Sequence, residues 1–238
     1  MPEPDAEARH DTGAAASAFV AKSWNESWNE SWYLDFVEPT GRFGGYLQLT
    51  LWPRAGVSWF WACVAGPDRP LVTVITNDAP VPRPPALELR ASGLWVDLIC
   101  ETPFAHFSVG LEAFGVALDD PTEVYRGCRG DRTPLGFDLE WETPEAARSV
   151  PGGYRLDGTV LGEVLVGDER IELDGRGGRK HRWGTDQWWN EASDFGTAEV
   201  LAEAPVILEG HPGGPSRLRR GLVRRPSPEG VGWAAELS

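Results

Sequence analysis

The chain has 238 residues and 41% of them are hydrophobic, which is enough apolar surface for the core of one large β domain or two small ones. Its formal net charge of −14 argues against nucleic acid and anionic membrane surfaces as partners, because both attract basic patches. The sequence has no apolar run of about 18 residues for stable membrane insertion, and its N-terminus lacks the basic and apolar regions of a signal peptide. These features predict a soluble, cytoplasmic protein.

The spacing of cysteines and histidines does not indicate a metal site or a cofactor. Cys63, Cys100 and Cys128 lie far apart, without the paired spacing of zinc or redox motifs, and predict reduced, mostly buried thiols. The chain lacks an HExxH-like pair, a phosphate-binding glycine loop and a serine-hydrolase elbow. We therefore expect no metal and no cofactor, with non-contiguous metal ligands as the open alternative.

The N-terminal part of the chain changes from a polar tail to a strand. Residues 1–22 are rich in Ala, Glu, Asp and Pro and lack the apolar surface needed to order them, so we predict a disordered tail. The tetrapeptide Asn-Glu-Ser-Trp then occurs twice, as a local duplication. We expect the second copy, Asn29–Trp32, to be the working one because it runs into the strand pattern Tyr33–Val37, and the first copy to be exposed.

From Gly44 onward the chain follows a pattern of β-strands separated by turns. Leu47, Leu49 and Leu51 alternate with polar and aromatic residues, which predicts one side facing a core. The almost continuously apolar run Val57–Ala65 predicts a strand that is buried on both faces or that lines an apolar lumen. Many short strands without a long helix predict an all-β antiparallel barrel or sandwich. The further predicted strands are Leu71–Thr76, Ala86–Arg90, Leu94–Cys100, Phe107–Leu118, Phe137–Trp141, Tyr154–Val166 and Glu169–Asp174, the last two joined by the hairpin turn Gly167–Asp168.

Residues 175–189 combine several glycines with a histidine, an acid and three tryptophans. The glycines allow a sharp bend or a close backbone approach. In an extended strand His181 and Trp183 point to one face, so Asp186 joins His181 only if a turn near Gly184-Thr185 resets the alternation. Two interpretations stay open. Either His181 and Asp186 face a ligand walled by the tryptophans, or they lock a corner while the indoles fill the core.

The last part of the chain contains strand-like pieces at Ala198–Leu208, Arg217–Arg225 and Val231–Glu236, separated by turns rich in Gly and Pro. Arg217–Arg225 interleaves Leu and Val with arginines and predicts a strand with a basic, solvated outer face. These pieces are too short for a second full barrel. We therefore predict a tail over residues 1–22, a β domain over 23–189 and a truncated second β domain over 190–238.

Several motifs resemble those of a bacterial family. The chain resembles largely uncharacterised proteins related to carotenoid 1,2-hydratase (hydroxyneurosporene synthase) and to AttH-like proteins, over about residues 24–189 and 202–236. This resemblance implies a calycin architecture of two lipocalin-like β domains. It also implies kinship with hydratases, cyclases and pericyclases that act on isoprenoid or polyketide substrates. The motifs are Asn29–Tyr33, Trp59–Cys63, Gly93–Trp95, Ile99–Pro103, Val109–Asp119, Gly130–Trp141 and His181–Trp189.

Two departures from the family pattern bear on activity. The family's Asp-His-Ser-Trp-Gly motif is replaced by Lys180-His-Arg-Trp-Gly184, so the histidine is retained without its acidic and small hydroxyl neighbours. Most of the segment that builds the second domain is missing between Trp189 and Ala198, which implies a shortened C-terminal half. The shortening predicts an exposed strand edge, a homodimer formed by strand pairing, or a degenerate protein.

A barrel lined by Trp and Phe suits an elongated apolar ligand. Hydration of an alkene in such a barrel needs a carboxylic acid that donates a proton, aromatic faces that stabilise the cation and a positioned water. Apolar walls raise the pKa of a carboxyl group and keep it protonated near neutral pH. The predicted ligand-binding residues are Trp32, Tyr33, Trp59, Trp61, Trp95, His106, Trp183 and Trp188.

The pattern does not choose among the acidic side chains. Glu30 can instead cap a turn, Glu101 can shape the turn that follows it, and Asp97 and Glu112 can face solvent. His106 can be a satisfied core or surface histidine. The candidate catalytic residues are His181, Asp186, Glu101 and Glu30, with Asp97 and Glu112 as further candidate acids.

Taken together, these patterns favour an all-β calycin-type protein that binds an apolar isoprenoid-, steroid- or lipid-like molecule in a Trp-lined cavity. The expected chemistry is cofactor-independent hydration, isomerisation or cyclisation. The alternatives are a noncatalytic lipid carrier and a degenerate structural relative. A buried carboxyl group near His181 favours the enzyme, a wholly apolar lumen favours the carrier, and a filled barrel favours the structural relative.

Overall fold

The computed structural model describes residues 28–83, 86–185, 188–191, 195–208, 217–226 and 230–237. Within these ranges the chain consists mainly of β-strands, with short 3-10 helices at Pro121–Arg126 and Trp188–Glu191. None of the helices described is long and apolar enough to cross a membrane. The tail predicted over residues 1–22 lies outside the described residues.

The larger sheet has 11 antiparallel strands. In order across the sheet they are β4-β3-β2-β1-β11-β10-β8-β7-β6-β5, and β9 pairs with β10. The sheet closes into a barrel because β4 also pairs with the end of β7, with Leu71 opposite Leu118. This architecture confirms the predicted all-β antiparallel fold and agrees with a lipocalin-like barrel. The strands are β1 (Asn29–Val37), β2 (Gly44–Trp52), β3 (Val57–Gly66), β4 (Arg69–Pro80), β5 (Leu87–Ala91), β6 (Leu94–Thr102), β7 (His106–Leu118), β8 (Asp131–Glu142), β9 (Arg148–Val150), β10 (Gly153–Val166) and β11 (Glu169–Gly184).

The barrel interior is filled by alternate side chains of these strands. Leu47, Leu49 and Leu51 of β2 all lie in this core, as their alternation predicts. The second tetrapeptide copy lies in β1 and is buried, and Trp32 at its end joins the same core. Trp28, which ends the first copy, is also buried, so the expectation that the first copy is exposed is wrong at this residue.

The C-terminal sheet is a separate antiparallel sheet formed by β12 (Glu199–Glu203), β13 (Val206–Ile207), β14 (Arg217–Arg225) and β15 (Gly230–Leu237). β14 lies at its centre, with β12 and β13 on one edge and β15 on the other. The sheet packs on the outer face of the barrel near β1 and β2. There the Trp233 ring meets Tyr46 edge-on at 5.1 Å between centroids, and its indole N–H donates to the carbonyl oxygen of Phe36 at 3.1 Å.

This arrangement explains why β3 is buried along almost its whole length. Its inward residues, such as Phe60, belong to the barrel core. Its outward residues, such as Trp61 and Cys63, belong to a second core beneath the C-terminal sheet. The prediction that Val57–Ala65 is buried on both faces is therefore confirmed.

The glycine-rich segment of β11 lacks the sharp bend that was one of our two expectations for it. The strand expected to end at Asp174 instead runs without interruption to Gly184. An ideal Cβ atom on Gly177 would lie 1.9 Å from the carbonyl oxygen of Asp35 in the neighbouring strand. Gly177 therefore permits a close approach of β11 to β1, whereas Gly184 at the end of the strand has a positive φ of 127°.

Candidate functional site

Two of the predicted catalytic residues meet at one end of the barrel. The pairing of β1 with β11 places Trp32 opposite His181, and β10 places Tyr154 opposite His181 on the other side. His181 Nε2 lies 2.9 Å from Glu30 Oε1. The second ring nitrogen, Nδ1, lies 3.1 Å from the Tyr154 hydroxyl oxygen. We refer to Glu30, Trp32, Tyr154 and His181 as the barrel-end cluster.

The barrel-end cluster is closed to solvent. Glu30 is 2% exposed and His181 is 4% exposed. The Trp32 ring stacks on the imidazole with centroids 4.6 Å apart, and Trp183 meets the imidazole at 4.9 Å while remaining 37% exposed. The cavity beside the cluster has a volume of about 10 Å³, which is about the space of one water molecule.

The turn between β6 and β7 covers Tyr154. The ring of Phe104 in this turn meets the Tyr154 ring edge-on at 5.1 Å. Phe104 has a φ of 62°, in the left-handed region that is costly for a bulky residue. The strained turn is therefore held in place by its contacts over the barrel end.

The polar groups of the cluster are arranged for holding or moving a proton. The imidazole bridges a carboxyl group and a phenol, so each group can share a proton with its neighbour. Glu30 Oε2 is buried and has no hydrogen-bond partner among the described residues. The same bonds also link β1, β10 and β11, so the cluster has a structural role whether or not it has a chemical one.

The other predicted acids do not join this cluster. Glu101 is exposed on β6 and accepts a hydrogen bond from the Ser108 hydroxyl at 3.1 Å. Asp97 is half-buried, and burial together with nearby Glu88 raises the pKa of its carboxyl group. Glu112 is exposed, as its structural alternative predicted. Asp186 lies outside the described residues.

The predicted ligand-binding residues do not line a single lumen, which corrects the expected Trp-lined barrel interior. Trp32 points inward, but Tyr33 follows it and points to the outer face. Trp59 and Trp61 lie on the outer face of β3 and pack with Trp188 beneath the C-terminal sheet. The reason is strand alternation, which places Leu, Val and Phe inward and most of these tryptophans outward.

Two further predicted residues lie elsewhere on the surface of the barrel. Trp95 lies on the outward side of β6, and its indole N–H donates to the Glu88 carboxylate at 2.9 Å. His106 is half-exposed at the start of β7, with its Nε2 atom 3.4 Å from a carboxylate oxygen of Glu140. Neither residue belongs to the core that fills the barrel interior.

A cleft of about 190 Å³ lies between the outer face of β1 and the C-terminal sheet, and we refer to it as the intersheet cleft. Aromatic side chains form much of its wall, while Ser31 and Gln48 contribute uncharged polar groups. Its aromatic lining residues are Tyr33, Trp188, Trp189 and Trp233. Its charged lining residues are Asp35, Arg155, Lys180, Arg182 and Arg220.

Burial raises the pKa values of two groups that line this cleft, Asp35 and Tyr33. Asp35 Oδ1 accepts a hydrogen bond from the Gly178 N–H at 2.9 Å, and its Oδ2 lies 3.9 Å from Arg155. Burial raises the pKa of Asp35, and the positive charge of Arg155 opposes that rise. Burial also raises the pKa of the Tyr33 hydroxyl, with a further contribution from Asp35. Tyr33 therefore remains a neutral hydroxyl at physiological pH.

Arg220 is the cleft residue that our interpretation of the sequence missed. Arg217–Arg225 forms β14, as predicted, but Arg220 is 5% exposed and does not belong to a solvated outer face. It lies on the same side of β14 as Leu218 and Leu222, which are both buried, while Arg217 and Arg219 lie on the other side. This alternation was visible in the sequence and could have identified the inward side of the strand.

The remaining reactive groups are the cysteines and the potential metal ligands. Cys63 is buried, Cys100 and Cys128 are half-buried, and none of these three described cysteines forms a disulfide. In the part of the chain that is described, no group of three His, Cys, Asp or Glu side chains is placed to hold a metal ion.

Comparison with solved structures identifies two distant neighbours. One is a protein assigned as AttH (NE1406) from Nitrosomonas europaea, with 12% identity, a TM-score of 0.39 and coverage of 87% of this chain. The other is CghA with Sch210972, with 13% identity, a TM-score of 0.40 and coverage of 89% of this chain. The chain spans 64% of the first protein and 58% of the second. No curated protein matches it.

A family model, by contrast, covers most of the sequence. It matches residues 4–223, which include both the barrel strands and most of β14. The chain therefore belongs to the family described as a domain of unknown function, DUF7064.

Proposed function

We propose that this protein binds a small apolar molecule in the intersheet cleft. The observation that carries the proposal is the meeting of Tyr33, Trp188, Trp189 and Trp233 around a cleft whose lining also includes two uncharged polar and five charged side chains. Small-molecule sites are typically apolar and aromatic, with a small number of polar groups that orient the ligand. The cleft is smaller than the usual range of about 300–1,000 Å³, so it suits a small ligand or one end of a longer one.

The ligand class in this proposal is isoprenoid-, steroid- or lipid-like. Flat indole and phenol faces provide apolar contact area for such molecules. The resemblance of the sequence motifs to relatives of carotenoid 1,2-hydratase supports the same class. Because side chains fill the barrel interior, we propose a ligand site outside the barrel rather than in its lumen.

Native mass spectrometry combined with organic extraction tests this proposal. We expect an apolar molecule to co-purify with the wild-type protein and to be lost in Trp188→Ala, which removes a wall of the cleft. Trp183→Ala is the matched control, because Trp183 lies at the barrel end and not in the cleft. A protein that purifies empty and also fails to take up added isoprenoids and sterols would favour the structural alternative instead.

A second candidate function is cofactor-independent proton transfer at the barrel-end cluster. The observation that favours it is the buried Glu30 carboxyl group, which has one oxygen near His181 and the other without a partner among the described residues. In hydration, Glu30 donates its proton to an alkene carbon, water adds to the resulting cation, and the proton released by that water returns to Glu30. His181 positions the carboxyl group, and Trp32 offers an aromatic face to the cation.

This candidate requires the barrel end to open, because the cavity there holds about one water molecule. Incubation with isoprenoid alkenes in D₂O, followed by mass spectrometry of the products, tests it. We expect deuterium incorporation with the wild-type protein and with Glu101→Gln, and its loss with Glu30→Gln. Wild-type protein that incorporates no deuterium would leave the cluster with its structural role.

Two further expectations belong to the proposal. We place the protein in the cytoplasm, and we retain a homodimer formed through an exposed strand edge as a prediction. Light scattering coupled to size-exclusion chromatography tests the second expectation directly, since a strand-paired dimer doubles the mass of the 26.1 kDa chain.

A further inference from the structure

We infer that the ligand of the intersheet cleft carries an anionic group, a carboxylate or a phosphate, that pairs with Arg220. This inference rests on the proposed binding function and adds the charge of the ligand to it. It depends on three features of the cleft, which are the incomplete bonding of Arg220, the aromatic rings around its guanidinium group and the excess of positive charge among the lining residues.

The bonding of Arg220 is incomplete for a buried cation. Its Nη2 atom donates to the side-chain oxygen of Gln48, which is a neutral acceptor. Its Nη1 atom is buried and has no hydrogen-bond partner among the described residues. No ion pair joins Arg220 to a carboxylate of the part of the chain that is described. A buried charge without a counter-charge is costly, so Arg220 favours an anionic partner that the described residues do not supply.

Aromatic rings hold the guanidinium group in place without neutralising it. Its central carbon lies 4.5 Å from the Tyr46 ring centre, 5.0 Å from that of Tyr33 and 5.4 Å from that of Trp188. Cation–π contacts of this kind fix the position of the charge. The charge is felt by neighbouring groups, since it opposes the rise in pKa that burial causes at Tyr46 and Cys63.

The rest of the cleft is also positively charged. Arg155, Lys180 and Arg182 line it together with Arg220, against one acidic lining residue, Asp35. Because Asp35 and Asp157 take up the charge of Arg155, Arg220 is the cleft cation for which we infer an anionic ligand. A cationic cleft in a chain of net charge −14 focuses a local field that attracts anions.

The planar guanidinium group recognises carboxylate and phosphate oxygens equally well, so geometry alone does not separate them. Three probes with the same ten-carbon isoprenoid body make the distinction: geraniol, geranate and geranyl monophosphate. Their binding can be followed by the fluorescence of the cleft tryptophans or by titration calorimetry. We expect at least one anion to bind about tenfold or more tightly than geraniol, with a preference that weakens as salt is added.

Substitutions of Arg220 and of its neighbour Arg219 test whether the preference for an anion depends on Arg220. Arg220→Gln is expected to lose the preference for the anion, so that its affinities for geraniol and for the anionic probes become similar. Arg220→Lys keeps the charge without the bidentate geometry, so we expect it to retain part of the preference. Arg219→Gln is the matched control, because Arg219 is adjacent in sequence but engages Glu203 and Glu236 on the other side of β14.

The outcomes separate this inference from the proposed function. Equal affinity of the wild-type protein for geraniol and both anions overturns the inference and leaves the binding function intact. A preference for an anion that survives in Arg220→Gln also overturns it. Failure of all three probes to bind overturns the proposed function and the inference together.

Discussion

The two faces of β1 are both buried, yet they present different environments. On the inner face Glu30 bonds to His181 beside a cavity of about 10 Å³. On the outer face Tyr33 and Asp35 line a cleft of about 190 Å³, where Arg220 has a buried nitrogen without a partner among the described residues. One strand therefore contributes to a closed network on one side and to an open cleft on the other.

This difference teaches that burial of polar groups does not by itself identify a binding site. Both faces contain a buried atom without a described partner, Glu30 Oε2 inside and Arg220 Nη1 outside. The Arg220 side chain, however, lines space for a molecule larger than water. Polar groups whose hydrogen bonds are completed by neighbouring strands stabilise the fold. A charged group that lacks a partner and lies beside open space indicates a ligand.

The largest effect that we expect concerns Cys63, on the outer side of β3 beneath the C-terminal sheet. Burial raises the pKa of this thiol to about 12, so its thiolate fraction at pH 8 is roughly a thousandfold below that of an ordinary thiol. Alkylation of the native protein, mapped by mass spectrometry, should therefore be slower at Cys63 than for glutathione by about that factor. Labelling at the rate of glutathione would show that the C-terminal sheet does not cover β3 in solution.

The next effect concerns the inner face. Glu30→Ala leaves His181 Nε2 buried without its carboxyl partner, so we expect a loss of about 3 kcal/mol in the free energy of unfolding. Urea denaturation monitored by tryptophan fluorescence measures this loss. Glu101→Ala is the control and should change stability by less than about 0.5 kcal/mol, because Glu101 is exposed. Similar values for the two variants would mean that the barrel-end cluster does not stabilise the inner face.

Features of the two faces that depend on residues close together in the sequence were predictable, and features that depend on residues far apart in the sequence were not. Alternating leucines predicted the core side of β2, and the continuous apolar run predicted the double burial of β3. Both signals are local. The partner of the outer face of β3 was not predictable, because it is a sheet formed by residues 199–237, which are distant in sequence.

In the candidate sites, too, contacts between residues far apart in the sequence could not be predicted. Glu30 and His181 were both candidates, but their meeting depends on the register of β1 with β11, and 151 residues separate them. The charge pattern of β14 suggested a solvated strand, although Arg220 shares its side with two buried leucines. In β11 the glycines permitted either a bend or close packing, and pairing with β1 decided between the two.

A smaller effect is expected where β11 approaches β1. Gly177→Ala places a methyl group on the carbonyl oxygen of Asp35, so the backbone must shift, and we expect a loss of about 2 kcal/mol in the free energy of unfolding. Gly232→Ala in β15 is the control, because an ideal Cβ there meets no atom within 4 Å. It should change stability by less than about 0.5 kcal/mol. Equal effects of the two substitutions would show that close packing of β1 and β11 does not keep the inner face closed.

The smallest effect that we expect is the pH dependence due to Asp35 on the outer face. Burial raises the pKa of this carboxyl group, so the folded protein holds its proton more tightly than the unfolded chain does. Its stabilising contribution is therefore complete below the unfolded pKa of about 3.9 and is lost as the pH rises through the folded value. The wild type should lose stability relative to Asp35→Asn between pH 4 and pH 8 in urea denaturation series.

An exposed carboxylate provides the control of opposite sign. A hydrogen bond from the Thr122 hydroxyl lowers the pKa of Asp120, so its contribution is present above the unfolded pKa and is lost as the pH falls through the folded value. The wild type should accordingly gain stability relative to Asp120→Asn as the pH rises. If Asp35 showed the same sign as Asp120, the positive charge of Arg155 would outweigh burial there. The outer face of β1 would then be as well paired as the inner face, and the cleft would have less need of an anion from outside the chain.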